Sequence, residues 1–355
     1  MSSHIAATSN DWRHERSPES EAMKQMAIIG AGSWGTALAV VAARAGHSVR
    51  LWSRNSAVVT SINDKRVNSR YLSSTSIPDE VAATGDIKTA LDEASTVVLA
   101  VPSHAARDTL TAMSSQLHGA AIVVSVAKGI EIESGKRISE IAKEVLASSH
   151  PFVSLSGPSF AKEVVQGHPT AIVAASKDSA AARAVQNELS FENLRIYTNA
   201  DVVGTEIGGS VKNVMAIAAG MTAGLGFGAN SVAALITRGL AEITRLARRE
   251  GAQMETLMGL AGLGDLVLTC TGSLSRNRFV GEELGKGRTL DEITAELSEV
   301  AEGINTARAV KKLADRAGLE MPITNEVNAV LYDGKPARDA VAELMSRPLR
   351  EENPR

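Results

Sequence analysis

The chain is expected to be an α/β protein, with an N-terminal parallel-sheet domain followed by an all-α C-terminal domain. Three observations predict this. Short apolar runs alternate with helix-period segments up to about residue 199, after which strand signals stop and helical periodicity alone continues. A glycine-rich turn, Gly30-Ala31-Gly32-Ser33-Trp34-Gly35, joins the first apolar run to the first helical one. Continuous apolar strands alternating with helices imply a parallel sheet covered on both faces.

In order, strands are expected at 27–29, 49–52, 96–101, 121–126, 152–155, 170–174 and 195–197, with helices at 34–45, 104–117 and 137–146 among them. Beyond residue 199, helices are expected at 201–223, 229–250, 254–260, 290–296, 306–317 and 323–332. This gives a dinucleotide-binding domain over 24–199, a helical substrate domain over 200–345 and a polar tail over 346–355. Residues 1–23 are polar and lack the apolar segment of a secretory signal. They are expected to be a disordered extension, or to precede a natural start at Met23 or Met26. Gly204, Gly208 and Gly209 sit inside a helical pattern, where each costs about 1 kcal/mol against Ala. Such a cost suggests that something approaches the backbone closely.

Composition narrows the partners. The 355 residues carry 37 basic and 40 acidic side chains, a formal charge of −3, and only 3% aromatics. Neither nucleic acid nor an anionic membrane surface is suggested. The weakly polar stretch 214–229 is shorter than the about 20 residues of a membrane span, so it reads as a buried helix. The single cysteine, Cys270, precludes an intrachain disulfide and fits a reducing cytoplasm. His47, His104, His118 and His168 have no ligand-like spacing, so no metal is expected. The run 245–250 reads as a solvated helix face, and the ten methionines read as core filler.

Several motifs carry chemistry. The glycine turn fits G-x-G-x-x-G between a strand and a helix, the context of a Rossmann-type dinucleotide site. Gly30 permits the tight turn, Gly32 lets the pyrophosphate approach the backbone, and Gly35 allows close helix–strand packing, with the helix N-terminus facing the anion. The second strand ends Leu51-Trp52-Ser53-Arg54-Asn55, without the acidic residue that would bond a ribose 2′-hydroxyl. Arg54 either pairs with a 2′-phosphate, which favours NADP(H) with NAD(H) as the second cofactor, or is a solvated loop arginine. Lys128, in Val126-Ala127-Lys128-Gly129, stands at the strand end where open α/β sheets bind ligands, and is either aimed at the cleft or snorkelling. Gly157 and Ser159, in Ser156-Gly157-Pro158-Ser159, supply amides and a hydroxyl at a helix start. Lys212 has mostly small or apolar neighbours; desolvation lowers a lysine pKa and suits it to general acid/base work. Asp265 and Thr269 are four residues apart and share a helix face. A loop with Arg276, Asn277 and Arg278 is expected to follow. Arginine forks bind phosphate bidentately, although a helix end and a polar turn would look the same.

Taken together, GAGSWGTALA, AVPSH, SVAKGIE, LSGPSFA, GGSVKNVMAIAAG, GLGDLVLTCTGSLSRN and VAEGINTA resemble the bacterial-type NAD(P)-dependent sn-glycerol-3-phosphate dehydrogenase family, in family order from about residue 26 to 310. The resemblance implies reversible reduction of dihydroxyacetone phosphate to glycerol 3-phosphate, supplying glycerophospholipid synthesis, by a cytoplasmic homodimer. It implies Lys212 as the proton donor or acceptor, and Lys128 contacting substrate beside the nicotinamide. Asp265 and Thr269 would complete the polar pocket, Gly157 and Ser159 would line it, Ser275 would bind the substrate, and Arg276 and Asn277 would hold the phosphate. Ser33, Trp34, Arg54, Lys128, Ala161, Arg276, Val300 and Glu302 would touch the cofactor. The β-hydroxyacid dehydrogenases, including 6-phosphogluconate dehydrogenase, are an alternative that the SRN sequence after GLGDL disfavours. A cofactor sensor without catalysis is disfavoured by Lys128, Lys212 and Asp265.

Overall fold

The computed structural model describes residues 24–297, 299–349 and 351–352. The extension expected over 1–23 and the end of the polar tail lie outside them. The N-terminal half runs β1 (Gln25–Ile29), α1 (Ser33–Arg44), β2 (Ser48–Trp52), α2 (Ser56–Lys65), β3 (Val67–Asn68), β4 (Leu72–Ser76), β5 (Val81–Thr84), α3 (Ile87–Leu91), β6 (Thr96–Leu99), α4 (Ala106–Ser114), β7 (Ile122–Ser125), α5 (Ile138–Val145), β8 (Phe152–Ser156), α6 (Ala161–Val165), β9 (Thr170–Ala175), α7 (Ser179–Leu189) and β10 (Leu194–Asn199). All seven expected strands are present.

Eight strands form one sheet in the order β10-β9-β8-β7-β6-β1-β2-β5. Strand β1 is buried on both sides. Met26 and Ile28 face a core shared with α1, while Ala27 and Ile29 face the core of α4 and α5. That two-sided burial explains why its sequence is continuously apolar. The strand order reverses beside β1, between β6 and β2, which opens a crevice at the C-terminal ends of these strands.

The structure corrects the all-parallel expectation, because β8 and β9 pair antiparallel. Their connection holds only the five-residue α6, and strand direction leaves no mark in an apolar run. Strands β3 and β4 form a separate antiparallel hairpin, and β5 adds a further edge strand; all three were unexpected. Their sequences, such as Leu-Ser-Ser-Thr-Ser for β4, are too polar to stand out.

The C-terminal half is helical among the described residues: α8 (Val202–Gly224), α9 (Ala229–Arg249), α10 (Met254–Met258), α11 (Asp265–Thr271), α12 (Arg276–Gly285), α13 (Leu290–Glu296), α14 (Glu302–Ala317), α15 (Pro322–Tyr332) and α16 (Ala337–Ser346). A π turn at Leu260–Gly264 replaces the end of the helix expected to reach 260. The loop expected at Arg276–Arg278 is instead the first turn of α12, and α16 was unexpected. Met254, Met258 and Met345 are 51%, 61% and 80% exposed, so these three are not core filler. No helix among the described residues is long and apolar enough to cross a membrane.

Helix α8 is buried along nearly its whole length, and its glycines are points of close approach. A Cβ on Gly208 would lie 2.6 Å from the Ala261 carbonyl oxygen, and one on Gly209 2.6 Å from Ser156 Oγ. Against α12, a Cβ on Gly220 would lie 2.0 Å from the Arg278 carbonyl oxygen, and one on Gly281 1.9 Å from that of Ile217. The backbones of α8 and α12 therefore touch, which holds Lys212 and Arg276 in a fixed relation.

Candidate active site

A cleft of about 1180 Å³ opens at the sheet's switch point, between the ends of β1, β2, β6 and β7 and the helices α8, α11, α12 and α14. Its floor is the glycine turn. Gly30 has φ +123°, and a Cβ there would lie 2.5 Å from the Ala100 carbonyl oxygen. On Gly35 a Cβ would lie 1.9 Å from the Gly30 carbonyl oxygen, whereas above Gly32 the space is open. These three positions fit a dinucleotide, with two glycines closing the turn and the third leaving its backbone accessible.

Lys212 and Lys128 meet at one carboxylate. Lys212 Nζ donates to Asp265 Oδ1 (2.5 Å) and Thr269 Oγ1 (2.7 Å). Lys128 Nζ donates to Asp265 Oδ2 (2.8 Å) and to the Gly157 carbonyl oxygen (3.1 Å). Asp265 is 1% exposed, and the Lys212 side chain is 7% exposed. Thr269 Oγ1 in turn donates to the Asp265 backbone carbonyl (2.6 Å), as the four-residue spacing allows. An ammonium has three N–H donors, so each lysine keeps one beyond these bonds, and both lysines line the cleft. Burial lowers the Lys212 pKa to about 8; Asp265 pulls it up and the Lys128 charge pushes it down. Burial also pushes the neighbouring Cys270 thiol up to about 12, so it stays neutral beside the ammonium.

At the far wall, Ser275 caps α12, its Oγ accepting from the Arg278 N–H (3.2 Å). The first turn leaves the N–H groups of Arg276 and Asn277 without an intrahelical acceptor. Asn277 Oδ1 accepts from Gly303 N–H (2.9 Å), and its Nδ2 donates to Asn213 Oδ1 (3.0 Å). This amide chain joins α8, α12 and the start of α14. Arg276 pairs with Glu299, whose carboxylate also accepts from the Ser33 N–H (3.3 Å) and Ser33 Oγ. Glu302 accepts from the Ser103 N–H (3.2 Å) and Oγ (2.5 Å), linking α14 to the turn after β6.

Of the expected cofactor residues, Gly30, Gly32, Ser33, Trp34, Gly35, Arg54, Lys128, Arg276, Val300 and Glu302 line the cleft. Ala161 does not; it packs partly against the sheet core. Of the expected substrate residues, Ser159, Lys212, Thr269, Ser275, Arg276 and Asn277 line it, while Asp265 and Gly157 stand behind the lysines. Sequence reasoning did not single out Asn213, Ser103 or Glu299, although the first two lie inside the quoted motifs GGSVKNV and AVPSH. Their partners are 64, 199 and 266 residues away, and no local pattern reports such pairings.

A doubly wound sheet with a glycine-turn cleft and two lysines at its switch point defines a dinucleotide-dependent oxidoreductase. Models of the NAD-dependent glycerol-3-phosphate dehydrogenase N-terminus and C-terminus match residues 25–182 and 201–342. The chain is 53% identical over 330 residues to a glycerol-3-phosphate dehydrogenase [NAD(P)+] of Koribacter versatilis, covering 92% of this chain and 98% of that protein. It is 50% identical over 327 residues to the enzyme of the same name from Anaeromyxobacter sp. strain K, with the same coverage. The crystal structure of glycerol-3-phosphate dehydrogenase from Coxiella burnetii superposes with a TM-score of 0.89 at 40% identity, covering 92% of this chain and 99% of that one. The chain belongs to the NAD-dependent glycerol-3-phosphate dehydrogenase family.

Proposed function

We propose that Lys212 donates and accepts the proton in the reaction this chain catalyses, the reversible NAD(P)H-dependent reduction of dihydroxyacetone phosphate to sn-glycerol 3-phosphate. The observation that carries the assignment is the pair of lysines held by Asp265, each with one N–H left for the cleft. The reduced nicotinamide supplies the hydride to C2 of the ketone. As negative charge grows on the C2 oxygen, the free N–H of Lys212 transfers its proton there, and the Lys128 ammonium stabilises the charge electrostatically. A lysine pKa near 8 is matched to this exchange, since both protonation states are populated near neutrality. Thr269 and Asp265 orient Lys212, while the Gly157 carbonyl and Asp265 orient Lys128.

The phosphate end belongs to Arg276 and the first turn of α12, where an anion meets free N–H groups and the positive end of the helix dipole. Asn277 has one N–H left for it beyond its bonds to Asn213 and Gly303. Ser159 and Ser275 line the substrate between these ends. Anchoring the phosphate fixes C2 against the nicotinamide, so remote binding contributes to the rate. The glycine turn, Ser33, Trp34, Val300 and Glu302 hold the cofactor, and Arg54 favours NADPH over NADH through a 2′-phosphate. The boundary between the cofactor and substrate domains falls near residue 200, where the strands give way to helices. Exposed Phe227, Met254 and Met258 offer apolar surface to a second copy, which supports a homodimer, and one buried free cysteine suits the cytoplasm.

The test is loss of reduced-nicotinamide absorbance with purified protein, dihydroxyacetone phosphate, and NADPH or NADH in parallel. Turnover with NADPH ahead of NADH supports both the reaction and the role of Arg54. Equal rates remove the Arg54 argument, and no turnover with either cofactor removes the assignment.

A further inference from the structure

We propose that Arg70, on the turn of the β3–β4 hairpin, is a second cation for the 2′-phosphate of NADP(H), facing the same end of the cleft as Arg54. This rests on the reading that Arg54 takes that phosphate.

The hairpin is small, two and five residues per strand, and a two-stranded hairpin is marginal alone. Its placement comes from the glycine turn, onto which it is fastened at two points. Buried Asn68 donates from Nδ2 to the Ala31 carbonyl oxygen (2.9 Å) and to Thr36 Oγ1 (2.8 Å). Ser33 Oγ lies 2.8 Å from the Tyr71 carbonyl oxygen, its single proton shared between that carbonyl and Glu299. The turn 69–71 is therefore a wall of the cofactor cleft, and Arg70 lines that cleft together with Arg54, Asn55 and Ser56. The Arg70 guanidinium lies over the Tyr71 ring, 5.2 Å from its centroid, which orients the donor fork without neutralising it.

Charge pairing separates these two arginines from the third in the cleft. Arg276 has Glu299, whereas neither Arg54 nor Arg70 has a carboxylate partner among the described residues. The β2 end, Ser53-Arg54-Asn55, also offers no carboxylate to a ribose diol. Two exposed guanidinium groups without a carboxylate partner, both lining one cleft and with Arg70 beside Asn55 and Ser56, are complementary to a compact dianion, and a phosphate monoester carries about −1.5 to −2 charges near neutrality. In a dinucleotide seated on this turn, the group that reaches the second-strand end is the adenosine ribose, so the dianion is its 2′-phosphate.

The experiment is calorimetric binding of adenosine 2′,5′-bisphosphate and adenosine 5′-monophosphate to the full chain, with no turnover required. Wild type is expected to bind the bisphosphate more tightly. Arg70→Ala is expected to weaken it about tenfold with the monophosphate unchanged, Arg70→Lys to recover part of the loss, and Arg54→Ala/Arg70→Ala to abolish the preference. The wild-type preference is expected to shrink as salt rises. If Arg70→Ala keeps the wild-type preference while Arg54→Ala loses it, Arg70 is removed and the Arg54 reading stands. If Arg70→Ala weakens both ligands equally, its role is structural and the inference fails. If wild type has no preference, the Arg54 reading fails and this inference falls with it.

Discussion

The interior and the rim of the cleft both present paired cations, and they are built in opposite ways. In the interior, Lys212 and Lys128 share buried Asp265, so their charges are fixed and partly balanced before any ligand arrives. At the rim, Arg54 and Arg70 are exposed and have no carboxylate among the described residues. Burial moves a pKa and holds geometry, which suits proton transfer; exposure leaves charge screened by water until a dianion replaces that water. With the proposed roles, the same cleft would separate chemistry from cofactor selection by depth.

Breaking the interior is expected to have the largest effect. Lys212→Ala should lower kcat about 10³-fold while NADPH affinity, read by fluorescence titration, stays within about twofold. A variant that keeps most of its kcat would remove Lys212 from proton transfer. Next, Asp265→Asn takes away the one carboxylate between two ammonium groups. It should lower kcat about 10²-fold and, because Asp265 is the main influence raising the Lys212 pKa, move the pH profile to lower pH. An unmoved profile would show that Asp265 does not set that pKa. Arg276→Ala tests the wall between interior and rim: kcat/KM for dihydroxyacetone phosphate should fall about tenfold or more, with NADPH binding less affected. An unchanged kcat/KM would take Arg276 off the phosphate. The smallest change is expected at the rim, where Arg54→Ala should raise the KM for NADPH about tenfold and leave NADH unchanged, sharpening the contrast between depth and surface.

The same division governs what could be read from sequence. The glycine turn is legible because strand, turn and helix are consecutive, and the motif states its own backbone requirement. Asp265 and Thr269 are legible as a pair because four residues make one helical turn. The poor solvation expected for Lys212 follows from its small neighbours, and the structure buries it. What could not be read is long-range. One carboxylate reaches two lysines 53 and 137 residues away, and the Asn213–Asn277–Gly303 chain joins three helices. The first turn of α12 reads as a loop in the sequence because its helix has no strong apolar stripe and its cap, Ser275, lies in a run of polar residues. The direction of β9 is not legible because an apolar run reads the same in either direction, and the β3–β4 hairpin is not legible because its strands are too polar to stand out.

Whether the buried Lys212, with its lowered pKa, exchanges the proton at C2 is decided by the pH dependence of kcat/KM in both directions. Reduction needs the ammonium form, so its rate should fall as pH rises through about 8; oxidation of glycerol 3-phosphate needs the neutral amine, so its rate should rise over the same interval. Opposed limbs that share an apparent pKa near 8 in wild type, and vanish in Lys212→Ala, are the predicted result. Profiles that stay flat across that interval in both directions, or limbs that persist in Lys212→Ala, would remove Lys212 as the proton donor and acceptor.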